Sequence, residues 1–280
     1  MKLGLKDKVV VITGGSKGIG FAAARLFVEE GAQVLISARS EDALNRACDE
    51  ISTKTGGTVD AFPADVSVVS DLDALTAFVR ERYNRVDVLV NNAGTGTYKA
   101  FFEVTDDDLE YGMAINFFAQ FRLSQRLVPV MMKNGGGTIV NVAGRTAYQP
   151  ANPPGSTCTG PAKAAELRFT ADLADELRPH KIRVNCVVPG VVITPDRFEK
   201  WEREAAGDDY DADIALARRE KIIAESGPWG DADEVADTIV YLASPRASYI
   251  NGVSLLVDGA NKLSYTCLLY TSDAADDLRC

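Results

Sequence analysis

Histidine and cysteine are scarce in this 280-residue chain, and their scarcity excludes several kinds of active site. The single histidine, His180, lies in a polar stretch that is typical of a surface turn. A histidine-rich metal centre is therefore excluded, and a serine–histidine triad is disfavoured. The five cysteines are scattered and form no Cys-x-x-Cys pair, which argues against a disulfide framework or a zinc site. We expect no bound metal.

An excess of positive charge and long hydrophobic runs are also missing. The formal net charge is −10, so a nucleic-acid backbone or an anionic membrane would be repelled. No apolar run is long enough to span a bilayer, and residues 1–8 lack the apolar core of a signal peptide. The sequence therefore predicts a cytoplasmic protein with neither a nucleic-acid nor a membrane partner.

The composition is that of an ordinary globular protein, with 46% hydrophobic and 25% charged residues. No linker divides the chain, and short apolar runs alternate with segments of helical spacing. This alternation predicts an α/β fold, a single doubly wound parallel seven-stranded Rossmann-type sheet with helices on both faces.

The end of the chain differs from the rest. The run from Cys267 to Asp276 resembles the in-frame translation of a transposon-end adapter used to prepare sequencing libraries. We therefore assign one dinucleotide-binding domain to residues 1–266 and interpret residues 267–280 as a cloning-type scar. A disordered natural tail is the alternative, which genomic reads continuing with the same codons would support.

A glycine-rich turn is the strongest local signal. It follows the buried apolar run Val9 to Ile12 and leads into a helical pattern. Glycine allows positive φ and close approach of the backbone to a ligand, and a helix N-terminus attracts an anion. The turn therefore predicts binding of a dinucleotide pyrophosphate, with a simple tight turn as the alternative. Its candidate residues are Thr13, Gly14, Ser16, Lys17, Gly18, Ile19 and Gly20.

The second predicted strand, residues 33–38, is followed by a cation. An acidic residue at this place would hold the adenosine ribose hydroxyls, whereas a cation suits a 2′-phosphate. Here the chain has Arg39, and Lys17 adds a second positive charge nearby. The sequence therefore predicts NADP as the cofactor rather than NAD. Solvated surface cations are the alternative reading of both residues.

Further motifs extend this pattern along the chain. They are Asp65, the run Asn91-Asn92-Ala93-Gly94 that follows the fourth strand, and Asp258-Gly259 near the end. With the glycine turn they resemble the short-chain dehydrogenase/reductase family in its classical subgroup.

The resemblance implies a cofactor role for each motif. Asp65 would bond the adenine edge with Val66 packed beside it, and Asn91 would anchor the central strand against the cofactor. Ala93 and Gly94, after Asn92, would let the backbone approach the ribose. A turn below the nicotinamide and contacts to its carboxamide would come from Pro189, Gly190, Val192 and Thr194.

The catalytic positions agree with the family only in part. By resemblance, Asn116 would hold a water for proton relay, and Lys163 would bond the nicotinamide ribose. The expected serine is replaced by Ala143 and Gly144, and the expected tyrosine by Thr159. A threonine hydroxyl is a far weaker acid, and losing a positioned general acid costs roughly 10²- to 10⁴-fold in rate. Proton delivery through Thr159, Tyr148, a water or the substrate remains open.

Two functions remain compatible with this pattern. The first is an NADP-dependent oxidoreductase that transfers hydride between the cofactor and a carbonyl or alcohol substrate. The second is a catalytically impaired dinucleotide-binding protein, a sensor or an assembly partner. The charged segment Pro195 to Pro228 corresponds to the family's substrate lid but names no substrate. The alanine-rich surroundings of Lys163 favour a homo-oligomer, a dimer or a tetramer.

Overall fold

The structure is a computed structural model that describes residues 2–150, 155–194, 198–199, 203, 211–224 and 229–259. The predicted scar at 267–280 and much of the predicted lid segment 195–228 lie outside these residues.

The predicted seven-stranded parallel sheet is confirmed. Its order is β3-β2-β1-β4-β5-β6-β9, with every neighbouring pair parallel, and β7 and β8 form a separate two-stranded sheet. The strands are β1 (Val9–Thr13), β2 (Gln33–Ala38), β3 (Val59–Pro63), β4 (Val88–Asn91), β5 (Gly137–Val142), β6 (Ile182–Pro189), β7 (Val191–Val192), β8 (Trp229–Gly230) and β9 (Ser254–Val257).

Helices cover both faces of the sheet. They are α1 (Gly18–Glu29), α2 (Glu41–Thr55), α3 (Val69–Arg82), α4 (Asp106–Met113), α5 (Ala119–Lys133), α6 (Thr159–Leu177), α7 (Ala212–Ala224) and α8 (Ala232–Ala243). The core on one face includes residues of α1, α2 and α8, and the core on the other face includes residues of α3, α5 and α6. Within the described ranges, no helix has the length and apolarity needed to cross a membrane.

The central strands are largely apolar because both of their faces are buried. In β1, Val10 and Ile12 join one core and Val11 joins the other. Side chains alternate between the two faces of a strand, so a sheet covered on both sides favours apolar residues at most positions.

A change in chain direction positions the cleft. From β1 the chain proceeds outward to β2 and β3, then returns to place β4 on the opposite side of β1. The connections after β1 and β4 therefore diverge at the carboxyl edge of the sheet, and a crevice opens between them.

The sequence pattern predicts one long helix that begins at Thr105 and contains Asn116. The structure divides this helix into two. The helix begins as predicted at Thr105, whose side chain forms a capping box with Asp108. A π-helical turn, Ala114–Phe118, then separates α4 from α5. The Asn116 side chain donates to the Gly112 carbonyl, which an uninterrupted α-helix would bond through the backbone N–H of residue 116.

The sequence pattern predicts a last helix from Gly230 to Ala243, and the structure corrects its start. Gly230 pairs with Val192 in the small sheet. The helix α8 begins at Ala232 because Asp231 caps it and forms a capping box with Glu234.

Candidate functional site

A cleft runs along the carboxyl edge of the sheet, where the predicted site residues gather. Its wall contains both of the sequence motifs that follow β1 and β4, and most of the predicted positions. The predicted residues in the wall are Gly14, Ser16, Lys17, Ile19, Arg39, Asp65, Val66, Asn92, Ala93, Gly94, Asn116, Thr159, Lys163, Pro189, Gly190, Val192 and Thr194.

Of the glycine turn, Thr13, Gly18 and Gly20 are not among the described wall residues. Thr13 Oγ1 accepts hydrogen bonds from the backbone N–H groups of Asn92 (3.1 Å) and Ala93 (3.0 Å). The Asn92 side chain donates to the carbonyls of Thr13 and Gly14 in return. These bonds connect the loop after β1 to the loop after β4. Thr13 therefore fixes the relative positions of the two loops that border the cleft.

The glycines allow the two loops to meet closely. A Cβ atom on Gly20 would lie 2.3 Å from the Gly14 carbonyl oxygen and 2.5 Å from Asn92 Nδ2. Gly14 and Gly18 have φ values of +68° and +58°, which disfavour residues with a side chain. No side chain caps the start of α1, so the N–H groups of its first turn are available to an anion in the described cleft.

Positive charge is concentrated in the cleft although the whole chain is acidic. The described wall includes the acidic residues Glu50 and Asp65. Its basic residues are Lys17, Arg39, Arg46, Arg145 and Lys163. Such a wall favours an anionic ligand although the net charge of the molecule is negative. The charges of the wall lie closer to a bound ligand than the charges elsewhere on the molecule, and their effect is therefore larger.

The cations near the end of β2 include one that the sequence analysis missed. Arg39 lies in the wall, and its Nη1 is 3.4 Å from the Tyr111 hydroxyl. Arg46 also lines the cleft, from helix α2. A charged residue on an amphipathic helix is usually solvated, so its spacing alone gave no reason to place it at the site.

The adenine-side residues have specific local contacts. Asp65 Oδ1 accepts hydrogen bonds from the backbone N–H (2.9 Å) and hydroxyl (2.6 Å) of Ser67. Asn91 is buried below the cleft and is not among its wall residues. Its Nδ2 donates to Ser124 and Asn141, so Asn91 links β4 to α5 and β5 rather than facing a ligand.

Two predicted catalytic side chains hold the loop that follows β4. Asn116 Oδ1 accepts from the Thr95 N–H (3.1 Å) and its Nδ2 donates to the Thr95 carbonyl (2.9 Å). The hydroxyl of Thr159 accepts from the Thr97 N–H (3.0 Å) and donates to the Thr97 carbonyl (3.3 Å). Because both side chains bond backbone groups, their polar atoms are engaged in positioning the loop.

Lys163 is buried at the base of the cleft. Its Nζ donates to the Val142 carbonyl (3.0 Å) and to Glu166 Oε2 (3.1 Å). An ammonium group has three N–H donors, and within the described residues only these two bonds are made, which leaves one donor for a ligand. A Cβ atom on Gly94 would lie 3.2 Å from Nζ and 2.8 Å from Asn116 Oδ1, so only glycine leaves this approach open.

Small residues follow β5, where the resemblance implies a serine. Ala143 and Gly144 line the cleft, and a Cβ atom on Gly144 would meet only Thr146 Oγ1, at 3.8 Å. Tyr148 is 46% exposed and is not one of the described wall residues.

The far side of the cleft carries the Pro189-Gly190 turn. Gly190 donates its N–H to the Val257 carbonyl, and a Cβ atom there would lie 2.7 Å from the Cα of Asp258. The turn therefore packs directly against Asp258 of the Asp258-Gly259 motif. Nearby Cys186 is buried, and burial raises the pKa of its thiol, which makes it a poor nucleophile.

Among the described residues, no cluster of three or more His, Cys, Asp or Glu side chains is placed to hold a metal ion.

Comparison with known proteins gives consistent matches over most of the chain. The sequence profile described as short chain dehydrogenase matches residues 8–205. Over 255 residues, the chain is 33% identical to the 3-oxoacyl-(acyl-carrier-protein) reductase FabG of Thermotoga maritima, covering 91% of this chain and 98% of the relative.

Solved structures give the same picture. L-sorbose reductase from Gluconobacter frateurii, complexed with NADPH and L-sorbose, matches with a TM-score of 0.83 and 35% identity, over 92% of this chain and 98% of that chain. A 7α-hydroxysteroid dehydrogenase complexed with NADH and 7-oxo glycochenodeoxycholic acid matches with a TM-score of 0.77 and 32% identity, over 92% and 95% of the two chains.

Proposed function

The chain belongs to the short-chain dehydrogenase/reductase family, and from this premise we propose that it is an NADP-dependent oxidoreductase. Its reaction transfers hydride between NADP(H) and a small carbonyl or alcohol substrate, with an atypical proton donor. The observation that carries the proposal is the buried Lys163 ammonium, which faces the cleft beside Gly94 with one donor left over.

The described residues fit a dinucleotide. Gly14, Gly20 and Gly94 occupy places where added side chains would meet the opposite loop or the site residues. The uncapped start of α1 suits the pyrophosphate. NADPH, when bound, supplies the hydride for carbonyl reduction.

The protein's part in the reaction is binding, orientation and proton supply. The positive charges of Arg39 and Lys17 pair with the phosphates of the cofactor. The loop held by Asn116 and Thr159 forms one wall of the cleft. Lys163 Nζ carries a proton at the base of the cleft. We propose that this proton reaches the substrate oxygen through a water, because the Thr159 hydroxyl is bonded to Thr97 on both sides.

Cofactor preference rests on the cations after β2. Relatives of this chain have been solved with NADPH and with NADH, so the preference must be argued from its own residues. Arg39, Lys17 and Arg46 line one cleft, and charge-assisted hydrogen bonds to a phosphate contribute about 1.5–3 kcal/mol. NADP is therefore the proposed cofactor.

The change Arg39→Asp is expected to raise the Kd for NADPH about 10- to 100-fold and to leave the Kd for NADH unchanged or lower. The new carboxylate would repel a 2′-phosphate and could accept bonds from ribose hydroxyls. Fluorescence titration with both nucleotides measures the effect. Arg178→Asp makes the same charge change at an exposed turn away from the cleft and should alter neither Kd. Equal weakening of both nucleotides by Arg39→Asp would contradict the assignment.

The activity itself is tested by following NADPH oxidation with a panel of aldehydes, ketones and ketoses. The proposal expects turnover by the unmodified protein with at least one member of the panel. Absence of turnover with every member, at saturating NADPH, would contradict it.

A second function is favoured by the same loop contacts. The side chains of Asn116 and Thr159 form hydrogen bonds with the backbone of residues 95–97. The chain could therefore bind a dinucleotide without catalysis, as a sensor or an assembly partner. Thr159→Tyr separates the two: reductase activity gained where the parent has none would favour this alternative.

We also propose a quaternary state and a location for the protein. A homo-oligomer, dimer or tetramer, is supported by partly exposed phenylalanines where α5 meets α6: Phe117, Phe118, Phe121 and Phe169. Sedimentation velocity gives the mass of the particle. The cytoplasmic location stays a prediction.

A further inference from the structure

One fully buried carboxyl group lies directly behind the proposed active site. Glu166 follows Lys163 by three residues on α6, has 0% exposure, and places Oε2 3.1 Å from Lys163 Nζ. A glutamate is almost never completely buried unless it is paired, and burying a charge without a partner is costly. Lys163 and Glu166 therefore form a buried ion pair, which differs from the exposed ion pairs on the surface.

The surroundings of Glu166 are polar but poorly satisfied. The neighbouring Gln120 side chain favours the charged form of the carboxyl, although Glu166 Oε1 and both Gln120 polar atoms lie outside hydrogen-bond geometry with the described residues. Lys163 on the same helix and Cys186 on β6 are the titratable groups that interact with it in the described part of the chain. Burial raises the pKa of the Glu166 carboxyl, and the Lys163 ammonium opposes that shift.

The arrangement fixes the direction of the Lys163 ammonium and gives it a charged partner. Without Glu166, a buried ammonium would keep only the neutral Val142 carbonyl as partner, and desolvation favours the uncharged amine. With Glu166 and Val142 each taking one N–H, the third donor is left for a group in the cleft.

We propose that Glu166 is a positioning residue of the active site, which supplies a charged partner to Lys163 Nζ and aims the remaining N–H of this group into the cleft. This inference rests on the proposed oxidoreductase function. It assigns the glutamate a role through Lys163 and no direct contact with the reactants.

The test compares kcat against pH for the parent and Glu166→Gln. The variant keeps an acceptor oxygen but loses the charge, so Lys163 should deprotonate at lower pH. We expect the alkaline limb of the kcat profile to move down by at least about one pH unit, the smallest shift usual for a close opposite charge. Glu176→Gln, at an exposed position on the same helix, should leave the profile unchanged.

A purely structural role gives a different result. It would lower kcat by the same factor at every pH, and that outcome would overturn the inference. Glu166→Leu removes the charge without leaving a buried amide, and it should show the same downward movement of the limb if Glu166→Gln does not fold.

A second readout does not depend on turnover. In protein labelled with carbon-13 lysine, the Lys163 resonance is assigned by its absence from Lys163→Met and followed by NMR against pH. Titration at lower pH in Glu166→Gln than in the parent supports the inference even if no substrate is found, a result that would count against the proposed function alone. Identical titration in both proteins would overturn it.

Discussion

Lys163→Met is expected to lower kcat for NADPH-dependent carbonyl reduction by about 10²- to 10⁴-fold, the range for loss of a positioned proton donor. Methionine preserves much of the apolar volume but removes the ammonium that lies at the base of the cleft. The Asn116 and Thr159 side chains cannot readily replace it, because their polar atoms already bond the backbone of Thr95 and Thr97. Steady-state kinetics at saturating NADPH measures the loss.

The same variant distinguishes a chemical role from a binding role. Glu166 remains buried in the variant, and its raised pKa lets it take up a proton rather than stay as an unpaired charge. The protein should therefore fold and bind NADPH with a Kd within about tenfold of the parent. A raised KM with unchanged kcat would contradict the proton-supply role, because it would indicate uniform binding only. Lys133→Met, at an exposed position in the last turn of α5, should change neither constant.

Gly20→Ala is expected to raise the Kd for NADPH by at least about 100-fold, or about 2.7 kcal/mol of binding free energy. The new methyl group would lie 2.3 Å from the Gly14 carbonyl oxygen, so the loop that we propose for pyrophosphate binding must move. Overpacking of this kind costs typically about 1–3 kcal/mol in the free energy of unfolding. Nucleotide titration and urea denaturation measure the two effects.

Gly56→Ala is the matched control for that prediction. Gly56 ends α2 with φ of +72° and would place its Cβ in open space, so alanine there meets backbone strain but no collision. It should lower the free energy of unfolding by about 1–2 kcal/mol and leave NADPH binding unchanged. Normal NADPH binding by Gly20→Ala would contradict the tight-loop account.

Much of the fold could be predicted because its signals are local. The apolar runs of β1 and β2 were placed correctly, since strands buried on both faces have apolar residues at successive positions. The Thr105 cap and the glycine turn were equally clear, because each depends on residues adjacent in the chain. The π-helical turn at Asn116 gave no such signal, because it depends on contacts of one side chain with Thr95 and Gly112.

The site was harder to predict where it depends on distant contacts. The resemblance brought Thr159 to the right cleft, but the two bonds to Thr97 join residues 62 positions apart. Arg46 looked like any exposed helical cation, and Glu166 like one more charge in a mixed helix. A glutamate three residues after Lys163 was the available signal, because that spacing places two side chains on one helical face.

The central claim is that a phosphorylated dinucleotide binds across the carboxyl edge of the sheet. Calorimetric titration of the unmodified protein with NADPH and with NADH tests it most directly. The account predicts saturable NADPH binding with a Kd at least about tenfold below that of NADH, equivalent to about 1.4 kcal/mol. No binding of NADPH at millimolar concentration, or tighter binding of NADH, would contradict it.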